Sequence, residues 1–198
     1  MLVESRAPAD PLVLFRRWYS EAARKGALQP DAIALATADA GGAPSVRMVL
    51  FKGLEDGAFL FYSNYESRKG RDLEANHRAA VVFYWSLTRH QVRVSGRVTR
   101  LSRADSSAYF HSRPRGAQLS ALASRQSRVV PSRIVLEKAA AELDRRYPET
   151  VPLPADWGGY ALKAAAIEFW ENRTDRLHDR LRYVRQGQSG WQLERLAP

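Results

Sequence analysis

The feature that most constrains this chain is how often short strand-like runs are cut by turn signals. Ala32–Ala38 is a mostly apolar run ending at Asp39-Ala40-Gly41-Gly42, a tight-turn signal. Ser45–Lys52 follows, so the two runs read as a hairpin. Gly57–Ser63 is a third strand, Ala79–Trp85 a fourth and Gln91–Leu101 a fifth, with Val92, Val94 and Val98 in alternation. Gly96 interrupts that fifth run and marks a bulge or a close backbone approach. Gly159–Lys163, Ala166–Trp170, Leu181–Arg185 and Trp191–Arg195 read as closing strands. Six or more short strands with one helical insertion suggest an antiparallel barrel with peripheral helices, not the strand–helix alternation of a parallel sheet.

The helices have their own signals. Asp10-Pro11 offers an N-cap and a proline at the first helical position, and Leu12, Phe15, Trp18, Tyr19 and Ala22 recur at helical spacing up to Gly26. Glu66–Ala75 reads as a short polar helix. Asp105–Ser112, Gly116–Ser124 and Pro131–Tyr147 form the insertion, and Pro148–Pro154 is an extended linker. With 198 residues and no internal repeat, a single domain spanning 1–198 is expected, with residues 1–9 flexible.

A hydrophobic share of 45% with 26% charged residues fits a folded protein. No apolar run approaches the ~20 residues of a membrane span. The N-terminus lacks the apolar core of a secretory signal, so a cytoplasmic protein is expected. Without cysteine there is no disulfide, thiolate nucleophile or Cys-ligated metal, and His77 and His90 lack ligand spacing, so no metal is expected. No GxGxxG, Walker or GxSxG motif is present.

The net charge of +10 rests on 26 Arg and only five Lys. Arginine grips phosphate oxygens bidentately, so small phosphorylated ligands and nucleic acid are both candidates. The basic residues lie scattered along the chain, which weakens the nucleic-acid reading. Arg47 and Lys52 flank an apolar strand and could hold an anion at a barrel rim, or be solvated charges. Ser67-Arg68-Lys69 opens a helix, where N–H groups and the helix dipole favour phosphate, or it is a solvated basic face. Tyr109 and Arg113, four residues apart at a helix end that Pro114 terminates, could reach one phosphate, or form a plain helix corner. Arg176-Leu177-His178-Asp179-Arg180 gathers cations before a strand. Arg176 and His178 share parity if that segment is extended, and His178 could transfer protons near neutral pH. The other reading there is a surface ion-pair cluster with Asp179.

Taken in order, several stretches resemble the pyridoxamine 5'-phosphate oxidase family. They are RMVLFK (47–52), FYSNYESRKG (61–70), QVRVSGRVTRLS (91–102), YFHSRPR (109–115), SRQS (124–127), VPLPADWGGY (151–160), IEFW (167–170), RLHDRLRY (176–183) and the final WQLERLAP (191–198). The resemblance implies an FMN-binding split β-barrel, antiparallel and Greek-key-like, assembled as a homodimer with flavin at the interface. It implies FMN contacts at Arg47, Met48, Val49, Leu50, Phe51, Lys52, Tyr62, Ser63, Arg68 and Lys69, and at Gln91, Gln126, Ser127, Trp170 and Arg180. Substrate binding falls to Lys52, Tyr109, Arg113, Arg176, Leu177 and His178. The resemblance makes Arg176 and His178 the catalytic pair that covers the substrate ring. The implied reaction converts pyridoxamine or pyridoxine 5'-phosphate into pyridoxal 5'-phosphate, with O2 reduced to H2O2; nucleic acid and membrane are not implied partners.

Two departures stand out. Ala117 occupies the position where the family pattern has a serine that helps bind substrate phosphate, and the chain begins close to its first helix where many members carry a longer basic arm. A related oxidase of phenazine precursors and a non-catalytic flavin-binding barrel are the alternative readings.

Overall fold

The computed structural model describes residues 2–187 and 190–198. In chain order the elements are α1 (Pro11–Arg24), β1 (Ala32–Ala38), β2 (Pro44–Glu55), β3 (Ala58–Asn64), α2 (Arg68–Ala75), β4 (Arg78–Trp85) and β5 (His90–Arg100). They continue with α3 (Arg103–Ser112), α4 (Arg115–Ala123), α5 (Arg133–Arg146), β6 (Trp157–Glu171), β7 (Asp179–Gln186) and β8 (Gly190–Arg195). The strands form one sheet in the order β3-β2-β1-β4-β5-β6-β7-β8, and an additional β3–β6 pairing closes its first six strands into a barrel. Closure removes the exposed edges that an open sheet would leave. Because β4 returns to lie beside β1, the first four strands make the expected Greek key.

The two expected closing strands at 159–163 and 166–170 are one strand. The first part of β6 pairs with β3 up to Lys163↔Ala58, and its second part pairs with β7 from Ala166↔Val184. Between them the register against β5 jumps from Gly96↔Ala164 to Ser95↔Ala166, so Ala165 is the extra residue of a bulge. A bulge sharpens local twist, which lets one strand leave the barrel wall and carry β7 and β8. Gly96 is the predicted close approach: a Cβ there would sit 2.0 Å from the Lys163 carbonyl oxygen.

α1 plugs the barrel. Asp10 accepts a 2.9 Å hydrogen bond from the Leu12 N–H, and Leu14, Phe15, Trp18 and Ala22 form the buried face. The Phe15 ring meets Phe59 and Phe83 at 4.9 Å and Phe51 at 5.5 Å, edge to face. Residues 2–9, expected to be loose, are tied down. Leu2 is buried, Arg195 donates to the Leu2 carbonyl and pairs with Glu4, and the Tyr183 hydroxyl donates to the Pro8 carbonyl.

α3, α4 and α5 pack outside the barrel around a second apolar cluster of Phe110, Leu119, Val151 and Trp157. α3 starts at Arg103, two residues earlier than expected, because Ser102 caps it by accepting from the Asp105 N–H at 3.0 Å.

Candidate active site

Pairing of β2 with β3 covers Phe51↔Phe61 to Glu55↔Ala58 and stops there. Beyond it, Arg47–Leu50 of β2 and Tyr62 and Ser63 of β3 line opposite sides of a cleft of about 450 Å³. α2, α3 and the 126–127 loop complete its walls through Lys69, Tyr109, Arg113 and Gln126, with Trp157 at the start of β6. Residues from Tyr62 to Trp157, 15 to 110 positions from Arg47 in sequence, thus converge because the barrel is split at one seam.

The α2 end of the cleft is the cationic end. Ser67 caps the helix, accepting from the Gly70 N–H while donating to the Asn64 carbonyl. Lys69 is 8% exposed, and its ammonium donates to Gln126 Oε1 (2.7 Å), Ser63 Oγ (3.1 Å) and Ser67 Oγ (3.2 Å). Burial first, then the Arg47 charge, push the Lys69 ammonium down to about 8. Its three partners are neutral oxygens, so the cation is hydrogen-bonded without being neutralised. The Arg68 N–H donates to Ser127 Oγ at 3.2 Å, and Ser127 holds a left-handed φ of 70°. Arg47 is anchored from below: it donates to Thr37 Oγ1 (2.6 Å) and the Leu35 carbonyl, with Asp72 at 3.5 Å. Burial lowers its pKa, and Asp72 opposes that shift.

The α3 end is aromatic. The Tyr62 and Tyr109 rings stack at 3.8 Å, and Trp157 lies nearly parallel to both. Arg113 lies over the Trp157 ring at 4.8 Å, and its Nη1 is buried with no hydrogen-bond partner among the described residues. A buried donor left unmatched is costly unless a ligand completes it. Lys52 lines the same cleft and is paired with Asp31 at 2.9 Å.

Eleven of the residues expected from the sequence therefore line one cleft: Arg47, Met48, Val49, Leu50, Lys52, Tyr62, Ser63, Lys69, Tyr109, Arg113 and Gln126. Arg68 and Ser127 join through their mutual hydrogen bond. Phe51 does not face it: the ring is in the barrel core, and only its backbone borders the seam.

The remaining expected residues form a second group on β5, β6 and β7. Gln91 pairs with Trp170, Trp170 pairs with Arg180, and the His178 ring lies 4.7 Å from Trp170. Residues 173–178 are a loop rather than the extended segment that parity assumed, with Arg176 at a φ of 66°. His178 Nδ1 accepts from the Arg173 N–H at 3.0 Å, which leaves Nε2 to meet a ligand. Arg176 and Leu177 are exposed. Asp179 does not pair with Arg176 or Arg180 but with Arg195 at 2.9 Å, while Arg180 grips Glu168 at 2.8 Å. Sequence reasoning missed Asp31, Asp72, Glu168 and Trp157. The last had a signal in the two glycines after it, since a Cβ on Gly158 would lie 2.0 Å from the Tyr65 hydroxyl.

A continuous outward-facing row, Met48–Ala34–Val82–Arg93–Glu168–Arg182–Glu194, crosses seven strands between the two groups. Met48 to Glu168 is four strand spacings, roughly 19 Å along the sheet. Val46, Met48 and Leu50 are exposed on this face, beside a small-residue floor of Ala34, Ala36, Ser95 and Ala166.

Residues 19–147 match the family described as pyridoxamine 5'-phosphate oxidase, and residues 157–198 match the pyridoxine 5'-phosphate oxidase C-terminal dimerisation region. A pyridoxine/pyridoxamine 5'-phosphate oxidase of Bordetella pertussis is 49% identical over the whole chain and 94% of its own length. That of Rubrobacter xylanophilus is 50% identical, covering 91% of its length. Among solved structures, PhzG from Burkholderia lata, in complex with tetrahydrophenazine-1-carboxylic acid, superimposes with a TM-score of 0.94 at 33% identity, over 100% of this chain and 98% of that one. A pyridoxamine 5'-phosphate oxidase-related, FMN-binding protein from Nostoc punctiforme shares the fold, with a TM-score of 0.76 at 19% identity over 93% and 97% of the two chains. Profile, full-length relatives and fold agree: the chain belongs to the pyridoxamine 5'-phosphate oxidase family of oxidoreductases.

Proposed function

We propose that the protein is an FMN-dependent oxidase converting pyridoxamine or pyridoxine 5'-phosphate into pyridoxal 5'-phosphate, with O2 reduced to H2O2. The observation that carries this reading is that two sets of cationic groups line one cleft, Lys69 with Arg47 beside α2, and Arg113 with Tyr109 and Lys52. Two phosphate-bearing molecules need two such groups.

The donor set fits FMN. Lys69, Arg47, Arg68, Ser63, Gln126 and Ser127 offer charge and hydrogen bonds to its phosphate, and the unpaired edge of β2 from Arg47 to Leu50 offers main-chain groups to its ring. Bound flavin supplies the two-electron acceptor. Arg113 Nη1, unmatched in the cleft, suits a substrate phosphate. Arg176 and His178 cover the substrate ring, with His178 Nε2 as the atom that holds or moves a proton. Gln91, Trp170, Arg176, His178 and Arg180 do not line the cleft of their own chain. A second copy across the Val46–Met48–Leu50 face brings them to it, a reading supported by the match to a dimerisation region.

A second reading is favoured by one observation, the close superposition on PhzG: oxidation of a phenazine precursor. One experiment separates the two. The purified protein is expected to be yellow, with a flavin spectrum. Pyridoxine 5'-phosphate in air then yields pyridoxal phosphate absorbance and peroxide. A flavin-loaded protein that makes no product from either vitamer phosphate points to the second reading, and a protein that takes up no FMN contradicts both.

A further inference from the structure

Trp157 was not among the expected site residues, yet both its ring and its backbone are held by α3 and its C-cap. Its ring is 6% exposed, meets Phe110 edge to face at 5.2 Å, and carries the Arg113 guanidinium at 4.8 Å on its face. Its backbone is held as firmly. Arg103 Nη1 donates to the Trp157 carbonyl at 2.8 Å, while Nη2 donates to the Pro154 carbonyl at 2.7 Å and the Leu153 carbonyl at 2.9 Å. Two residues on, the Gly159 N–H donates to the buried Ser106 hydroxyl at 3.1 Å.

These contacts share one geometry. Arg103, Ser106 and Tyr109 all sit on α3, and Arg113 is its C-cap. The N-terminal half of the helix therefore grips the chain entering β6, and the other end presents the phosphate-facing groups. Trp157 is clamped between the two. Arg113 has no carboxylate partner among the described residues to set its direction, so the indole face does that instead, through cation–π contact that orients without neutralising. A carboxylate in that place would compete with an incoming phosphate for the guanidinium.

We infer that Trp157 is a positioning residue that aims Arg113 at the substrate phosphate, and that Arg103 holds Trp157 in place from behind. The inference rests on the reading that this cleft takes a phosphorylated pyridine ligand, and it assigns the preference for phosphorylated over unphosphorylated ligand to two residues that act through Arg113.

Calorimetric titration of the FMN-loaded, full-length protein with pyridoxal 5'-phosphate and with pyridoxal tests it. Trp157→Leu weakens pyridoxal 5'-phosphate by about tenfold or more and leaves pyridoxal within about twofold, while Trp157→Phe, which keeps a ring face, loses only about threefold. Arg103→Lys keeps the charge but not the three-carbonyl fork, and falls between the two Trp157 variants for the phosphorylated ligand alone. Flavin content, read from the visible spectrum, is unchanged in Trp157→Phe and Arg103→Lys. Equal weakening of both ligands, or undiminished phosphate selectivity in Trp157→Leu and Arg103→Lys, overturns the inference. A wild type that selects the phosphorylated ligand yet oxidises neither vitamer phosphate contradicts the proposed reaction and leaves this assignment standing.

Discussion

In the cleft between β2 and β3, the buried Lys69 ammonium is surrounded by the neutral oxygens of Ser63, Ser67 and Gln126, whereas at the β6–β7 edge the Arg180 guanidinium is already paired with Glu168. Arg113 extends the contrast on the cleft side, with a buried nitrogen that meets no acceptor among the described residues. The first region holds positive charge in reserve for an anion. The second pairs Arg93 and Arg180 with the same Glu168, and carries an indole at Trp170, an imidazole at His178 and an exposed side chain at Leu177. On the proposed reading the first region binds phosphate and the second covers a flat ring, and in the sheet order three strands lie between β2 and β6.

The largest effects are expected where reserve charge is removed. Lys69→Met costs one charge-assisted contact to the FMN phosphate, about 2–3 kcal/mol or roughly 30–150-fold in FMN affinity measured by fluorescence titration. Retention of wild-type affinity would erase the distinction between the two regions. On the covering side, His178→Ala leaves FMN affinity within about twofold but lowers kcat/KM for pyridoxine 5'-phosphate by about 10²-fold, as loss of a proton-handling group does. A parallel loss of FMN from that variant would mean that the edge also binds the cofactor phosphate.

The pH dependence sharpens the same contrast. A bound phosphate favours the charged Lys69, so its pKa in the complex lies above its own value of about 8. The Lys69 contribution to FMN affinity is then constant below pH 8 and falls as pH rises above it, by up to about tenfold per unit until the pKa of the complex is reached. The decline disappears in Lys69→Met. Smallest of all, Ala117→Ser on α4 restores one hydroxyl near the α3 end and tightens substrate binding by about 0.5–1.5 kcal/mol, read as a lower KM with kcat unchanged.

Much of the fold was legible because strands announce themselves locally. Alternation at Val92, Val94 and Val98, the Asp39–Gly42 turn and the Asp10-Pro11 cap each have a near neighbour as their cause. The single long β6 was not legible, since its bulge at Ala165 is set by the strands on either side. The parity argument for Arg176 and His178 failed for a similar reason: the left-handed turn at Arg176 breaks the alternation on which it depended. In the cleft, cationic residues were visible in the sequence by type, and the ordered motifs grouped them. Asp72, Asp31 and Glu168, which decide which cations are neutralised, carry no local signal. Phe51 shows the limit of reading a motif as a block, because alternation sends its ring into the core while its neighbours border the cleft.

The central claim, that the two regions meet only across two copies of the chain, is tested most directly by subunit mixing. Lys69→Met and His178→Ala chains, assayed at an FMN concentration that leaves the first largely unloaded, are co-expressed with different tags and the doubly tagged species is isolated. Each mixed dimer then contains one site with both regions intact, and half of wild-type activity per dimer is expected, about half because a twofold assembly has two equivalent sites. Activity no greater than the mean of the two parents would show that both regions act within one chain, and would contradict the account.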